Sequence, residues 1–132
     1  MTHENMDFIQ APEAIDLFDQ EAISEALDIF ESRYGLVVSD FFEDARSYID
    51  TIADGINQGH LDTVIKAAHP LKSAAGTMGA TSLYESARAI ELNARKLQQE
   101  GGDMQMLVEL MPVLEQSLQA AHKKFDAIVK SI

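Results

Sequence analysis

Apolar residues recur three and four positions apart along nearly the whole chain, and no stretch alternates with period two, so the pattern predicts an all-α protein. Phe41, Phe42, Ala45, Tyr48, Ile49, Ile52 and Ile56 fall on one helical face, and Leu61, Val64, Ala68, Leu71, Ala75 and Met78 on the face of the next. A third stripe is Leu83, Ala87, Ile90, Ala94 and Leu97. A fourth follows strict 3,4 alternation through Met104, Leu107, Met111, Leu114, Leu118, Ala121, Phe125 and Ile128.

Breakers and caps divide these stripes. Pro12 is suited to open a short N-terminal helix, Asp19 to cap one running to Tyr34, and Gly35 to end it in the left-handed conformation. Ser39 or Asp40 then caps a helix that closes in the loop holding Gly55 and Gly59. The next helix runs from about His60 to Thr77 and is broken by Gly79. Ser82-Leu83-Tyr84-Glu85 fits a capping box for its successor. Gly101-Gly102 ends that helix, Asp103 caps the last, and Pro112 kinks the last helix without ending it, because the apolar register continues through the proline. Loops this short between long helices favour antiparallel neighbours. The expected fold is an antiparallel, up-down-up-down four-helix bundle with an additional short N-terminal helix. One domain spans residues 1–132, with 1–10 as a tail and 19–130 as the bundle.

Composition narrows the function. With 132 residues and 46% hydrophobic content the chain can bury a real core. The absence of cysteine removes disulfides, thiolate metal sites and cysteine nucleophiles. No basic leader or long apolar run is present, so a cytoplasmic protein is expected, with no membrane partner. The net charge of −12 is uneven: residues 1–60 hold 14 acids and 2 bases, and residues 61–132 hold 8 of each. An acidic chain repels polyanions, which argues against nucleic acid. Between Thr63 and Gln99, however, Lys66, Lys72, Arg88, Arg95 and Lys96 face only Glu85 and Glu91. That basic island suits a small anion or an acidic protein surface, although many such clusters are simply solvated helix faces.

One histidine stands within the island. His69 lies roughly 130° from the centre of its helix's apolar seam and so points out of the bundle. Lys66 and Lys72 sit three residues before and after it, within reach of whatever the imidazole holds, since neighbours at that spacing stand about 5 to 6 Å apart at Cβ. Ser73 and Gly76 leave the ring open. Pro70 and Gly76 are both disfavoured inside helices, and such local rule-breaking gathers at functional sites.

The run Ala68-His69-Pro70-Leu71-Lys72-Ser73-Ala74-Ala75-Gly76-Thr77-Met78-Gly79-Ala80, continued by Leu83, Ala87 and Glu91, resembles the signature of histidine-containing phosphotransfer (HPt) domains. The resemblance extends over residues 19 to 124. It implies that His69 is the phosphorylated histidine and that Lys72 steadies the phosphoryl oxygens, with Lys66 nearby. Ser73 and Gly76 would admit a partner's active site, and Gly79 would make the turn after the helix. Two positions depart from the pattern. His60 stands where an acidic cap is common, and Pro70 replaces a more usual threonine.

The implied function is a carrier in a two-component phosphorelay, taking a phosphoryl group from an aspartyl phosphate onto His69 and passing it to another receiver domain. A free imidazole titrates near 6.5 and is mostly neutral at cytoplasmic pH, so a ring nitrogen can attack. Phosphoryl transfer needs an in-line nucleophile and cations about the equatorial oxygens more than covalent help. The chain has no P-loop and no kinase signature, so it is not expected to be an ATP-dependent enzyme. No cofactor or metal of its own is expected, and the Mg²⁺ would sit on the receiver. Implied partners are response-regulator receiver domains and a hybrid sensor histidine kinase, bound by a monomer. Ser47, Asp50, Asp54 and Asp62, with Lys66, are candidate partner contacts on the outer faces of the helices before and at the histidine.

Two other readings are open on sequence alone. A non-catalytic adaptor would bind a receiver without accepting phosphate. A haem- or metal-binding bundle would use inward ligands such as Met6 and His122, yet the paired Glu-x-x-His motifs of di-iron bundles are absent. Met78, Met104 and Met111 fall on seam positions and read as core.

Overall fold

The computed structural model describes residues 8–132. Among them are five α-helices and no strand: α1 Gln20–Phe30, α2 Tyr34–Gln58, α3 Leu61–Met78, α4 Thr81–Glu100 and α5 Gln105–Ser131. A single 3₁₀ turn, Glu31–Arg33, joins α1 to α2. Helix α2 packs on α3, α3 on α4, α4 on α5 and α5 back on α2, so these four close a ring around one core, while α1 lies against α2 and α3. The predicted stripes supply most of that core. Phe41, Ala45, Ile49 and Ile52 come from α2, joined by Val38 from outside the predicted stripe, while Phe42 and Tyr48 are only half-buried; Val64, Ala68, Leu71 and Ala75 come from α3, Ala87, Ile90 and Ala94 from α4, and Leu107, Leu114, Ala121 and Phe125 from α5. Met78 is buried, and Met104 and Met111 pack against the same cluster.

The boundaries follow local chemistry, with four corrections. Asp19 caps α1 as expected, its Oδ1 accepting from Ala22 N at 3.1 Å. Pro12, however, opens no helix, and residues 8–19 run as an irregular strap. Gly35 does not end α1. The break falls at Glu31, a non-glycine residue with φ +49°, and Gly35 lies inside α2 facing Val129 of α5. Ser39 and Asp40 likewise lie within α2 and cap nothing, because the 3₁₀ turn carries the chain directly into that helix. Ser82 forms no capping box. It is buried in the first turn of α4, where its Oγ donates to Ala14 O at 2.7 Å and accepts from Leu17 N at 2.8 Å.

The strap therefore takes two of the polar groups that α4 buries, Ser82 and Asn93. Asn93 clasps Ile9 at both ends, accepting from its N–H at 3.1 Å and donating to its carbonyl at 3.0 Å. Buried donors and acceptors need such partners, which is why a serine and an asparagine are tolerated inside. Gly79, with φ +82°, closes α3, and its carbonyl accepts from Asp19 N at 2.9 Å. The start of α1 is thereby docked on the α3–α4 corner. Asp103 tends the opposite corner, its Oδ1 accepting from Gln105 N at 3.0 Å. Helix α5 runs uninterrupted through Pro112, as the apolar register requires. None of the described helices is long and apolar enough to cross a membrane.

Candidate phosphotransfer site

Helix α3 buries Val64, Ala68, Leu71 and Ala75, which turns His69 outward with 56% of its side chain exposed. Pro70 follows within the helix and has no N–H to return to the carbonyl of Lys66, a local loosening that α3 tolerates without ending. Helix α4 packs closely along α3 and brings Glu91 beneath the imidazole. That carboxylate is only 3% exposed.

Glu91 organises the site. Its Oε2 lies 3.1 Å from His69 Nδ1 and accepts from Arg95 Nη2 at 2.9 Å and Nε at 3.1 Å. Its Oε1 lies 2.9 Å from Lys72 Nζ. Burial works to raise the pKa of this carboxyl group, but the ion pair with Lys72 and the contacts from Arg95 and His69 outweigh burial and hold it below its ordinary value of 4.5. Glu91 is therefore an anion at neutral pH. A carboxylate only accepts, so His69 Nδ1 carries the proton, and whenever the ring is neutral Nε2 keeps its lone pair. One buried acid thus sets the tautomer of the neutral ring.

The remaining sequence-predicted residues separate into those near this cluster and those elsewhere. Lys72 joins it, with 22% of its side chain exposed. Lys66 does not: it pairs with Asp62 one turn earlier at 3.0 Å, both side chains open to solvent. Ser73 is exposed on the His69 face, with its carbonyl accepting from Thr77 Oγ1 at 3.1 Å. Gly76 is exposed too, but it also serves helix packing, since a Cβ there would stand 3.3 Å from the Tyr84 ring of α4. Gly79 is buried at the corner. Ser47, Asp50 and Asp54 are exposed on α2. Asp50 accepts from Arg46 Nε at 3.1 Å, and Arg46 forks onto Glu115 of α5 at 2.9 and 2.7 Å, which draws Asp50 toward the α5 side. His60 begins α3 without a side-chain cap bond.

Sequence reasoning missed the roles of Glu91 and Arg95. A signal was present: Glu91 occupies the buried stripe between Ala87 and Ala94, a charge where the register calls for an apolar residue, with an arginine one turn on. For the metal reading, His122 is exposed and its ring lies tilted against Phe42 with ring centroids 4.6 Å apart, while Met6 lies outside the described residues. Among the described residues no cluster of three or more histidine, cysteine or acidic side chains is spaced to hold a metal ion.

No curated protein matches the chain in sequence. The chain is similar in fold to the crystal structure of histidine-containing phosphotransfer protein B (HptB) from Pseudomonas aeruginosa PAO1, with a TM-score of 0.78 over 87% of this chain and 96% of that one at 16% identity. The Hpt domain family model matches residues 36–124, a span that takes in α3, α4 and their shared cluster, and on that match the chain belongs to the Hpt domain family.

Proposed function

We propose that His69 is the residue through which this Hpt domain carries out histidine phosphotransfer. The observation that supports it is the exposed imidazole whose Nδ1–H is held by a buried carboxylate, leaving Nε2 free for in-line attack. The Nε2 lone pair forms a bond to phosphorus as the bond from phosphorus to the receiver's aspartyl oxygen breaks, and the aspartate leaves with that electron pair. The ring gains positive charge in this step. Glu91, 3.1 Å from Nδ1, is placed to balance it. Lys72 steadies the phosphoryl oxygens, since an ammonium donating to phosphate makes one of the stronger charge-assisted bonds. Equal help to donor and acceptor keeps the transfer reversible.

The chain has no nucleotide-binding loop in its sequence, so the phosphoryl group comes from a phosphorylated receiver and not from ATP. The receiver brings its own Mg²⁺. Exposed Ser73 and Gly76 admit the receiver's active site, and exposed Ser47, Asp50, Asp54, Asp62 and Lys66 on α2 and α3 are its further contacts in this reading. The hinges at Gly59-His60 and Gly79-Ala80 support antiparallel order between successive helices, within one domain that acts as a cytoplasmic monomer and serves a hybrid sensor kinase and its regulator.

The test is direct. A receiver domain phosphorylated with labelled phosphate is mixed with the chain, and the label is expected to move to an adduct that is acid-labile and alkali-stable, and to stay on the receiver with His69→Gln. Transfer that survives His69→Gln removes this assignment. Binding without transfer to the unaltered chain makes the protein an adaptor instead.

A further inference from the structure

Lys72 has two tasks that compete. It is placed to meet a phosphoryl group on His69, yet its ammonium lies 2.9 Å from Oε1 of Glu91, a buried anion. An ammonium is a compact charge on a flexible stem and can swing, but leaving Glu91 strips one cation from a carboxylate that solvent barely reaches. The other oxygen explains how that departure is tolerated. Arg95 donates twice to Oε2, from Nη2 at 2.9 Å and Nε at 3.1 Å, on the oxygen that Lys72 does not occupy, and half of its side chain is in solvent. A guanidinium keeps its charge at any working pH and its planar fork holds its geometry.

On the reading that His69 carries the phosphoryl group, we propose that Arg95 is a positioning residue that frees Lys72: it keeps Glu91 paired while the lysine moves from the carboxylate to the phosphoryl oxygens. Glu91 is then a latch with two cation sites, one permanent and one exchangeable. The other charged groups beside His69 do not share this task. Lys66 and Asp62 pair with each other on the surface of α3. Without Arg95, Lys72 stays on Glu91 and the phosphoryl group loses its ammonium.

The full chain is phosphorylated with phosphoramidate, in which the phosphorus–nitrogen bond to ammonia breaks as the bond to His69 forms, so no cognate receiver is needed. The lifetime of the phosphohistidine is then followed by phosphorus NMR. Arg95→Ala is expected to shorten that lifetime about 1.5- to fivefold, the range of one charged contact near a surface. It should match Lys72→Ala, and the double variant should be no shorter than Lys72→Ala alone. Arg95→Lys should restore most of the lifetime. In a Glu91→Gln background, where no anion tethers the lysine, Arg95→Ala should have no effect. The proposal is overturned if Arg95→Ala leaves the lifetime unchanged. It is equally overturned if the effect persists with Glu91→Gln, or adds to that of Lys72→Ala, since Arg95 would then touch the phosphoryl group itself. Failure of the His69 assignment looks different: the unaltered chain forms no phosphohistidine, or His69→Gln still forms the adduct.

Discussion

Replacing Glu91 with alanine tests the physical claim on which the site rests, that one buried carboxylate holds three cationic or donor side chains in place. Lys72 is largely covered, so loss of its charged partner should cost about 1.5–3 kcal/mol. Arg95 and His69 are half exposed, and solvent screening limits each of those losses to less than about 1 kcal/mol. The total is about 3 kcal/mol, which for a chain of this size lowers the melting temperature by about 10 °C. The kinetic effect is separate. Releasing the imidazole restores rotamer freedom equivalent to about 0.5–1.5 kcal/mol, so phosphoryl acceptance should slow by about two- to twelvefold. Urea unfolding followed by circular dichroism reads the first quantity, and rapid-quench transfer from a phosphorylated receiver reads the second. A Glu91→Ala protein that unfolds within about 0.5 kcal/mol of the parent and accepts phosphate at the parent rate refutes the reasoning, because the contacts would then be incidental surface pairs.

Three further outcomes follow from the geometry. Gly79→Ala should destabilise by about 2–4 kcal/mol, combining left-handed strain with a methyl group 2.8 Å from the Asp19 carbonyl oxygen. Gly59→Ala, at φ +71° with open space around it, should cost only about 1–2 kcal/mol in the same urea titration. Tyr34 is fully buried, burial raises the pKa of its phenol, and its hydroxyl finds no hydrogen-bond partner among the described residues. Tyr34→Phe should therefore be neutral or stabilising by about 1 kcal/mol in thermal unfolding, whereas a loss of more than that would reveal a partner for the hydroxyl. The pH dependence has a definite sign. Glu91 sits below 4.5 in the folded protein, so the unfolded chain binds its proton more tightly, and this increment of stability is complete above 4.5 and disappears as pH falls through the folded value. Glu91→Gln should flatten the stability curve in that acid window, and an unchanged slope below pH 4.5 would show that the carboxylate is not held by its neighbours.

The helices and the candidate nucleophile were legible in the sequence because both depend on local periodicity. A 3.6-residue repeat decides which face of a helix is apolar. His69 falls off the stripe of Leu61, Val64, Ala68, Leu71 and Ala75 and is therefore exposed, whatever packs on the other side. The same register carried α5 through Pro112. Turn chemistry was less legible where tertiary contacts competed with it. Gly35 could have ended α1, but the break fell at Glu31 and the glycine was drawn into α2 beside Val129. Ser82 had the spacing of a cap, yet burial against a strap 65 and 68 positions away gave its hydroxyl better partners than its own helix end.

The chain alone determined that a histidine with lysines at i−3 and i+3 would face solvent on an all-helical scaffold. Only the tertiary structure decided what that histidine touches. Glu91 is 22 positions from His69, and its carboxylate reaches Nδ1 because α4 packs along α3. Helical periodicity specifies that a face is buried but not which neighbour buries it. The division of labour between the two lysines is of that kind as well: equivalent in sequence, they part because Lys72 leans over the α3–α4 seam toward a buried anion, while Lys66 turns back to Asp62 on its own helix.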